Sequence, residues 1–442
     1  MAKNLKIFSL HSDMYNWMLK LCTVMLRITP KTAILAYAIL NFVIILIINQ
    51  ISDLPVWIGN WEAKATRLAS FQNPLDNFYP PGGAILLIPF LGVKPNYEIG
   101  VYFYYTASSI LYYLICKELI LNKKYLLIAL LGFSLNPYLP WLVNSSQDTV
   151  FELFLVMSGF ALIVSKKYFL SFLPLYLLCL TRPAYWPGFL VIPLVINFLK
   201  IKSRDNKLVT KRLVITPFFF LFMTMSINQA VFKDPALAGE AGMTAHFSHN
   251  KYWYLSMPKF DPDVFLTTGG NMDAEKLLRE NPIFANIEDK GFRAALINIS
   301  ENPKSLFLNT LQKLDTYFFA VQKNPQLSGE YYISADGKNI VVGKERESWL
   351  LVLGSFLFFF FRSALLVLTI SAVTLLIVVP KIRQDLIEKP IILFCIPYLF
   401  GSIGGVLFYS ETRFKLVSEI LLIPLIMKIY DKYKELKLTK LS

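Results

Sequence analysis

The chain has 442 residues, of which 55% are apolar and 17% are charged, and its mean hydropathy is +0.49. This composition excludes an ordinary soluble globular protein and indicates a polytopic membrane protein. The formal net charge of +14 does not point to a nucleic-acid partner. Many of the lysines and arginines stand in short runs between apolar segments, which is typical of cytoplasmic loops.

The apolar segments predict an all-α polytopic fold with about ten transmembrane helices. Their approximate bounds are Thr32–Ile51, Tyr97–Ile120, Tyr125–Val143, Thr149–Val164, Phe169–Thr181, Pro187–Leu199, Leu213–Val231, Ser363–Val379, Ile391–Tyr409 and Leu416–Tyr430. With both termini in the cytoplasm, the basic runs between these spans fall on one side of the membrane. Arg362 divides an apolar run of about thirty residues. We interpret Trp349–Phe361 as an outer-leaflet or tilted start to the following span, since a separate crossing would move Arg413 to the cytoplasm.

These spans divide the chain into five parts. They are a cytoplasmic or interfacial segment (1–31), an N-terminal transmembrane module (32–231) with its first outer loop at 52–96, a soluble insert on the outer face (232–347), a C-terminal transmembrane module (348–430) and a cytoplasmic tail (431–442). The insert is too long for a structureless connection. Apolar residues recur at helical spacing from Phe292 to Leu314 and are interrupted at Asn302-Pro303. This pattern predicts two amphipathic helices that lie against the membrane domain.

The first outer loop contains the strongest candidate for a catalytic base. In NWEAKATRLAS, apolar residues are spaced as on one face of a short helix, and Glu62 stands near its start. A carboxylate at the membrane boundary can accept a proton from a hydroxyl or amine nucleophile, and burial would raise its pKa toward a useful value. The alternative is an acid that the helix dipole favours or that pairs with Lys64 or Arg67. Asp53 is a weaker candidate, because an acid at this position also fits the end of the first span.

Two further outer segments carry candidate residues. Phe78 to Gly83 (FYPPGG) predicts a rigid turn that contains Tyr79 and leads into a helix, with glycines that let another backbone or a lipid head group approach. Asp148 stands at the outer start of a span. It could bind an acceptor or a metal, although helix N-termini attract acids in any case.

Cations at outer helix ends are candidates for binding a phosphate. Arg182 and Arg413 each follow or precede an apolar helix, and Lys415 lies close to Arg413. An arginine fork matches a phosphate well. For each residue alone, a cation that extends to the membrane interface is an equally good interpretation. His246 and His249 have a spacing that could hold a metal, but the signal is weak. No phosphate-loop, dinucleotide or hydrolase motif is present.

The ordered set of motifs resembles the GT-C superfamily of integral-membrane glycosyltransferases, in particular the bacterial branch that is similar to protein O-mannosyltransferases and aminoarabinose transferases. WEAKATRLA resembles the acidic first-loop motif of that family, with Glu62 on its second acid, Trp61 in place of the first and Ala65 in place of a tyrosine. YPPGGAILLIPF, the segment DKGFRAALINISENPKSLFLNTLQKL and ETRFKLVSEILLIPLI are similar to later family elements. In the last one Phe414 replaces a tyrosine and the usual proline is absent.

The resemblance implies an inverting transfer of a sugar from a polyprenyl-phosphate donor to a glycan, lipid or protein acceptor on the outer face. Glu62 would act as the base, with Asp53 or Asp148 as a second carboxylate. Arg182, Arg413 and Lys415 would hold the donor phosphate, and Tyr79 and Arg67 complete the candidate substrate-binding residues. No cofactor is required, and a divalent metal is left open. The expected partners are the donor, the acceptor and membrane lipid, without nucleic acid.

Two other classes of protein stay open at this stage. A transporter or flippase for a lipid-linked saccharide would use the same outer cations without a base. A non-catalytic scaffold is favoured by the loss of the first acid in the loop motif. The expected location is a bacterial cytoplasmic membrane, with the site facing outward.

Overall fold

The computed structural model describes residues 30–52, 61–70, 72, 81–91, 96–136, 139, 149–202, 207–233, 235–237, 293, 295–297, 299–301, 303–304, 307, 310–311, 331–333, 340–342, 349–388, 393–397, 399 and 412–439. At the ends of several helices and in two strands, the description covers the backbone alone.

The helices follow the apolar runs of the sequence in chain order. They are α1 (Pro30–Ser52), α2 (Trp61–Ala69), α3 (Gly82–Leu87), α4 (Asn96–Leu119), α5 (Lys123–Ser134), α6 (Thr149–Val164), α7 (Tyr168–Thr181), α8 (Trp186–Lys202), α9 (Lys207–Phe232), α10 (Trp349–Val378), α11 (Pro380–Glu388) and α12 (Thr412–Thr439). Short 3₁₀ turns cover Ile88–Phe90 and Pro183–Tyr185.

The protein is a helical membrane protein. Three described segments are long and apolar enough to cross a bilayer, namely Ile99–Leu119, Arg212–Phe232 and Phe359–Val378. Shorter apolar helical segments cover Lys31–Ile47, Thr149–Val164, Tyr168–Thr181 and Pro183–Ile196. Helices therefore coincide with most of the predicted spans, while the total of ten crossings stays a prediction. The span proposed at Ile391–Tyr409 lies largely outside the described residues.

Two helices form the centre of the bundle. Helix α6 packs between α4 and α7, and α12 packs against α5 and α10. Most residues of α6 are buried, 11 of 16, and all of residues 417–429 of α12 are buried. By contrast, α9 and α10 expose large apolar side chains such as Phe219, Phe222, Val367 and Ile377. Since these exposed faces belong to segments long enough to span a bilayer, they are the lipid-facing side of the fold.

The apolar run that contains Arg362 forms one uninterrupted helix, α10, of 30 residues. At 1.5 Å per residue such a helix is about 45 Å long, which exceeds the hydrocarbon core of a bilayer. This agrees with the prediction of one long or tilted element rather than two crossings. The Arg362 side chain is 6% exposed and therefore lies inside the bundle.

Buried tyrosines join α1, α4 and α5. The Tyr37 hydroxyl donates to the Leu130 carbonyl at 3.0 Å, and the Tyr112 hydroxyl donates to the Ala129 carbonyl at 3.0 Å. Within α1, the Asn41 side chain donates to the Tyr37 carbonyl at 2.9 Å. The two interhelical hydrogen bonds of the tyrosines stabilise packing where no water is present to take their place. They fix the first span against the helices that follow the first outer loop.

The insert differs from its prediction in two respects. Tyr331–Ile333 and Ile340–Val342 form a two-stranded antiparallel ribbon, which the all-α prediction did not include. The described residues between 293 and 311 are helical, as expected. The expectation that their apolar residues lie against the membrane domain is wrong for Leu296, Phe307 and Leu311. These three side chains are exposed. Among the described apolar residues of this region, Ala295 is buried.

Candidate functional site

The first outer loop contains the predicted short helix, α2, with Glu62 in its first turn. Trp61 and Ala65 are buried, as the spacing of apolar residues indicated, and Lys64 is buried beside them. Arg67 is half-buried. The Glu62 side chain points away from this face and is exposed. The burial that the sequence argument invoked for a catalytic base is therefore not found, although an exposed carboxylate is accessible to an acceptor.

Helix α3 places the loop against the helical bundle. A Cβ atom on Gly82 would lie 2.6 Å from both the Leu180 carbonyl carbon and the Thr181 nitrogen, so this glycine permits close approach of the α7 backbone. At Gly83 the neighbouring groups are the rings of Trp61 and Phe151. The close approach of another backbone that the sequence indicated is therefore found at Gly82, whereas Gly83 contacts side chains. It brings α2 and α3 beside the start of α6 and the end of α7.

A buried ion pair lies where α6 and α7 meet. Glu152, in the first turn of α6, has its Oε2 atom 2.8 Å from Nε of Arg182, the residue that ends α7. The two side chains are 0% and 6% exposed. The Tyr185 hydroxyl donates a hydrogen bond to the other oxygen, Oε1. Both carboxylate oxygens therefore have a partner, which is the condition under which a buried charge is tolerated.

Tyr185 connects this pair to α12. Its hydroxyl oxygen lies 3.5 Å from the Ser418 hydroxyl. The phenol has a single hydrogen, which it donates to Glu152. In the long contact with Ser418, the serine hydroxyl is therefore the donor.

A second buried ion pair lies on the other side of α12. Glu419 Oε2 is 3.6 Å from Nη2 of Arg362 on α10, and both side chains are at most 6% exposed. Ser418 and Glu419 are consecutive, so they point about 100° apart around the helix axis. Helix α12 is therefore contacted by polar groups on two sides at one level. These contacts fix the rotation of α12, whose first turn contains Arg413 and Lys415.

Some of the candidate residues lie in the described part of the chain and others lie outside it. Arg182 is in the ion pair with Glu152, so the alternative of a side chain that extends to the membrane interface is wrong for it. Arg413 and Lys415 lie in the first turn of α12, with side chains outside the description. Asp53, Tyr79, Asp148 and the two histidines, His246 and His249, lie outside the described residues. The elements that flank the predicted outer segments are neighbours in the fold. They are α3, α6, the 183–185 turn and α12.

Sequence reasoning did not assign Glu152, Arg362 or Glu419 to the site. The signal was present, because each is an ionisable residue inside an apolar run, and such residues face a bundle interior or a functional cavity. Tyr185 and Ser418 carry no comparable signal, since tyrosine and serine are common at helix ends. Their role emerges from the packing of α12 against the 183–185 turn.

Comparisons with known proteins do not extend these observations, because no protein-family model, no curated protein and no solved structure matches the chain. Within the described part of the chain, no group of three histidine, cysteine, aspartate or glutamate side chains is arranged to hold a metal ion. The fold and the buried ion pairs define a helical membrane protein with buried charged groups close to the segment that contains Glu62.

The Arg362–Glu419 pair leads to a testable prediction. Glu419→Arg places two cations in a buried site, and we expect the variant to lose most of its folded, monodisperse fraction in detergent. Exchanging the two charges with Arg362→Glu and Glu419→Arg together is expected to restore a large part of it. Size-exclusion chromatography of fluorescent fusions measures the folded, monodisperse fraction of the single and the double variant. A double variant no better than the single one would show that the pair does not set the packing of α12.

Proposed function

We propose that the protein is an integral-membrane glycosyltransferase that moves a sugar from a polyprenyl-phosphate donor to an acceptor on the outer face of a bacterial cytoplasmic membrane. The observation that carries this proposal is the convergence of the Glu62 helix, the start of α6, the end of α7 and the N-terminal half of α12. It supports the proposal because the exposed Glu62 and the first turn of α12, with Arg413 and Lys415, belong to elements that meet at these helix ends.

The reaction would be an inverting displacement. Glu62 accepts the proton of the acceptor hydroxyl or amine, and the acceptor atom forms a bond to the anomeric carbon. The bond from that carbon to the phosphate oxygen breaks, and the lipid phosphate leaves with the electron pair. Arg413 and Lys415 are the residues proposed to stabilise the negative charge of the leaving phosphate.

Arg182 has a different role in this proposal from the one its sequence position suggested. Its Nε atom contacts Glu152 at 2.8 Å inside the bundle. A donor phosphate that reached Arg182 would compete with that carboxylate. We therefore propose that Arg182 positions Glu152 and the 183–185 turn, and that Arg67, half-buried on α2, lines the approach to Glu62.

The test is sugar transfer by the purified protein in lipid nanodiscs, from a panel of radiolabelled polyprenyl-phosphate sugars. Glu62→Gln is expected to lower the transfer rate by roughly 10²–10⁴-fold, the usual contribution of a general base. Glu118→Gln is the matched control, because Glu118 is also an exposed glutamate but lies at the opposite end of the spanning helix α4. Equal rates for the Glu62 variant and the wild type would refute the assignment of the base.

A carrier or flippase for a lipid-linked saccharide is the second candidate. The Arg362–Glu419 pair favours it, because ionisable residues buried in long apolar helices often line transport pathways. Under this alternative the labelled donor would bind to the protein in the nanodiscs, and no sugar would be transferred from it. Translocation of a fluorescent polyprenyl-phosphate sugar across a vesicle membrane would then establish the carrier.

A further inference from the structure

Two helical stretches of the soluble insert expose large apolar side chains. In the first stretch Leu296 is 66% exposed and Ile297 is 44% exposed. In the second, Phe307 is 63% exposed and Leu311 is 47% exposed. Side chains this apolar at this exposure are unusual in a segment that the hydropathy pattern places outside the bilayer.

Each stretch has a cation on the same face as its apolar residues. Arg293 precedes Leu296 and Ile297 by three and four positions, and Lys304 precedes Phe307 and Leu311 by three and seven positions. Residues at these separations lie on one side of a helix. Arg293 and Lys304 are both exposed. Each stretch therefore presents apolar side chains and a positive charge together. One exposed acid, Glu301, lies between them, four positions after Ile297 and three before Lys304.

The insert is held close to the bilayer at both ends. It begins after α9, which contains the spanning segment Arg212–Phe232, and it ends at α10, which contains the spanning segment Phe359–Val378. The outer leaflet of the bilayer is therefore close enough to contact the two apolar faces, and no further protein is needed to bury them.

We propose that the two stretches dock on the outer leaflet as interfacial helices. Leu296, Ile297, Phe307 and Leu311 enter the boundary between head groups and acyl chains, and Arg293 and Lys304 contact anionic head groups. Apolar residues combined with cations on one helical face are the features that bind such a surface. The occupant is lipid rather than the membrane domain, because these side chains are exposed in the folded chain. The inference does not depend on the proposed enzymatic activity.

A fluorescent label tests the docking directly. In Leu311→Cys, an NBD label placed in nanodiscs of phosphatidylcholine and phosphatidylglycerol is expected to shift its emission to shorter wavelength and to be quenched by brominated lipid. The identically treated parent protein gives the background from its native cysteines, of which Cys116 and Cys179 are buried. Lys434→Cys is the control position, because Lys434 is exposed in the polar last part of α12, and its label is expected to stay unquenched.

Charge reversal separates the two parts of the proposal. Arg293→Glu together with Lys304→Glu is expected to reduce the quenching at residue 311 in nanodiscs that contain phosphatidylglycerol. Unquenched emission at residue 311 in the parent background would overturn the docking, and the face would then belong to a protein contact. Quenching that neither charge reversal nor purely zwitterionic lipid alters would overturn the assignment of the cations to anionic head groups.

Discussion

Replacement of Glu152 by leucine is expected to lower the free energy of unfolding by about 3–5 kcal/mol. The reason is that Arg182 is 6% exposed and loses the carboxylate that lies 2.8 Å from its Nε atom. Tyr185 loses its acceptor in the same step. The measurement is reversible unfolding of the purified protein in mixed micelles, followed by circular dichroism.

A double-mutant cycle distinguishes the ion pair from general packing at this position. Glu152→Leu combined with Arg182→Met removes both charges, and we expect this variant to be more stable than Glu152→Leu alone. Glu118→Leu is the control, because Glu118 is exposed and its replacement is expected to have little effect. If the two single changes at Glu152 and Arg182 were simply additive, the pair would not be the source of the loss.

Replacement of Gly82 by alanine is expected to displace helix α3 from the end of α7. The new methyl group would lie 2.6 Å from backbone atoms of Leu180 and Thr181, and a backbone cannot move aside as a side-chain end can. Overpacking of this kind costs about 1–3 kcal/mol. Because α3 continues from the loop that contains Glu62, we also expect the first outer loop to become more susceptible to limited proteolysis.

A second glycine of the same helix serves as a matched control for this change. At Gly83 the added methyl group would lie 3.2 Å from the Phe151 ring, which requires a much smaller adjustment. The Gly83→Ala variant is expected to resist protease as the wild type does. Equal sensitivity of the two variants would contradict the specific role of Gly82.

The helices were predictable because their signal is local. Continuous apolar runs set the bounds of α4, α6 and α7 to within a few residues, and the spacing of Trp61 and Ala65 predicted α2 with its buried face. The close approach at Gly82 also followed from local sequence, since a glycine pair after two prolines is a frequent point of backbone contact. The predicted burial of Glu62 is wrong, because the buried face of α2 contains Lys64 and not Glu62.

The pairing of charges was not predictable, because it depends on which helices become neighbours. Nothing in the sequence near Glu152 indicates that Arg182, rather than a donor phosphate, lies beside it. The strand pair in the insert had a signal that was overlooked. YYISADGKNIVV contains Asp336-Gly337 between two β-favouring runs, a common hairpin pattern.

The buried arginine of α10 has a consequence for how the chain is made. Arg362 is synthesised before Glu419, so α10 leaves the ribosome with a cation whose carboxylate does not yet exist. Within the spanning segment Phe359–Val378 this arginine lies near one end, where a membrane helix tolerates a cation at less than the roughly 2.5–3.5 kcal/mol that an arginine costs at its centre. Until α12 arrives, α10 can therefore insert but lacks the contact that Glu419 provides. A chain terminated before α12 would keep Arg362 without this contact, and we expect it to be a target for the cell's quality-control proteases.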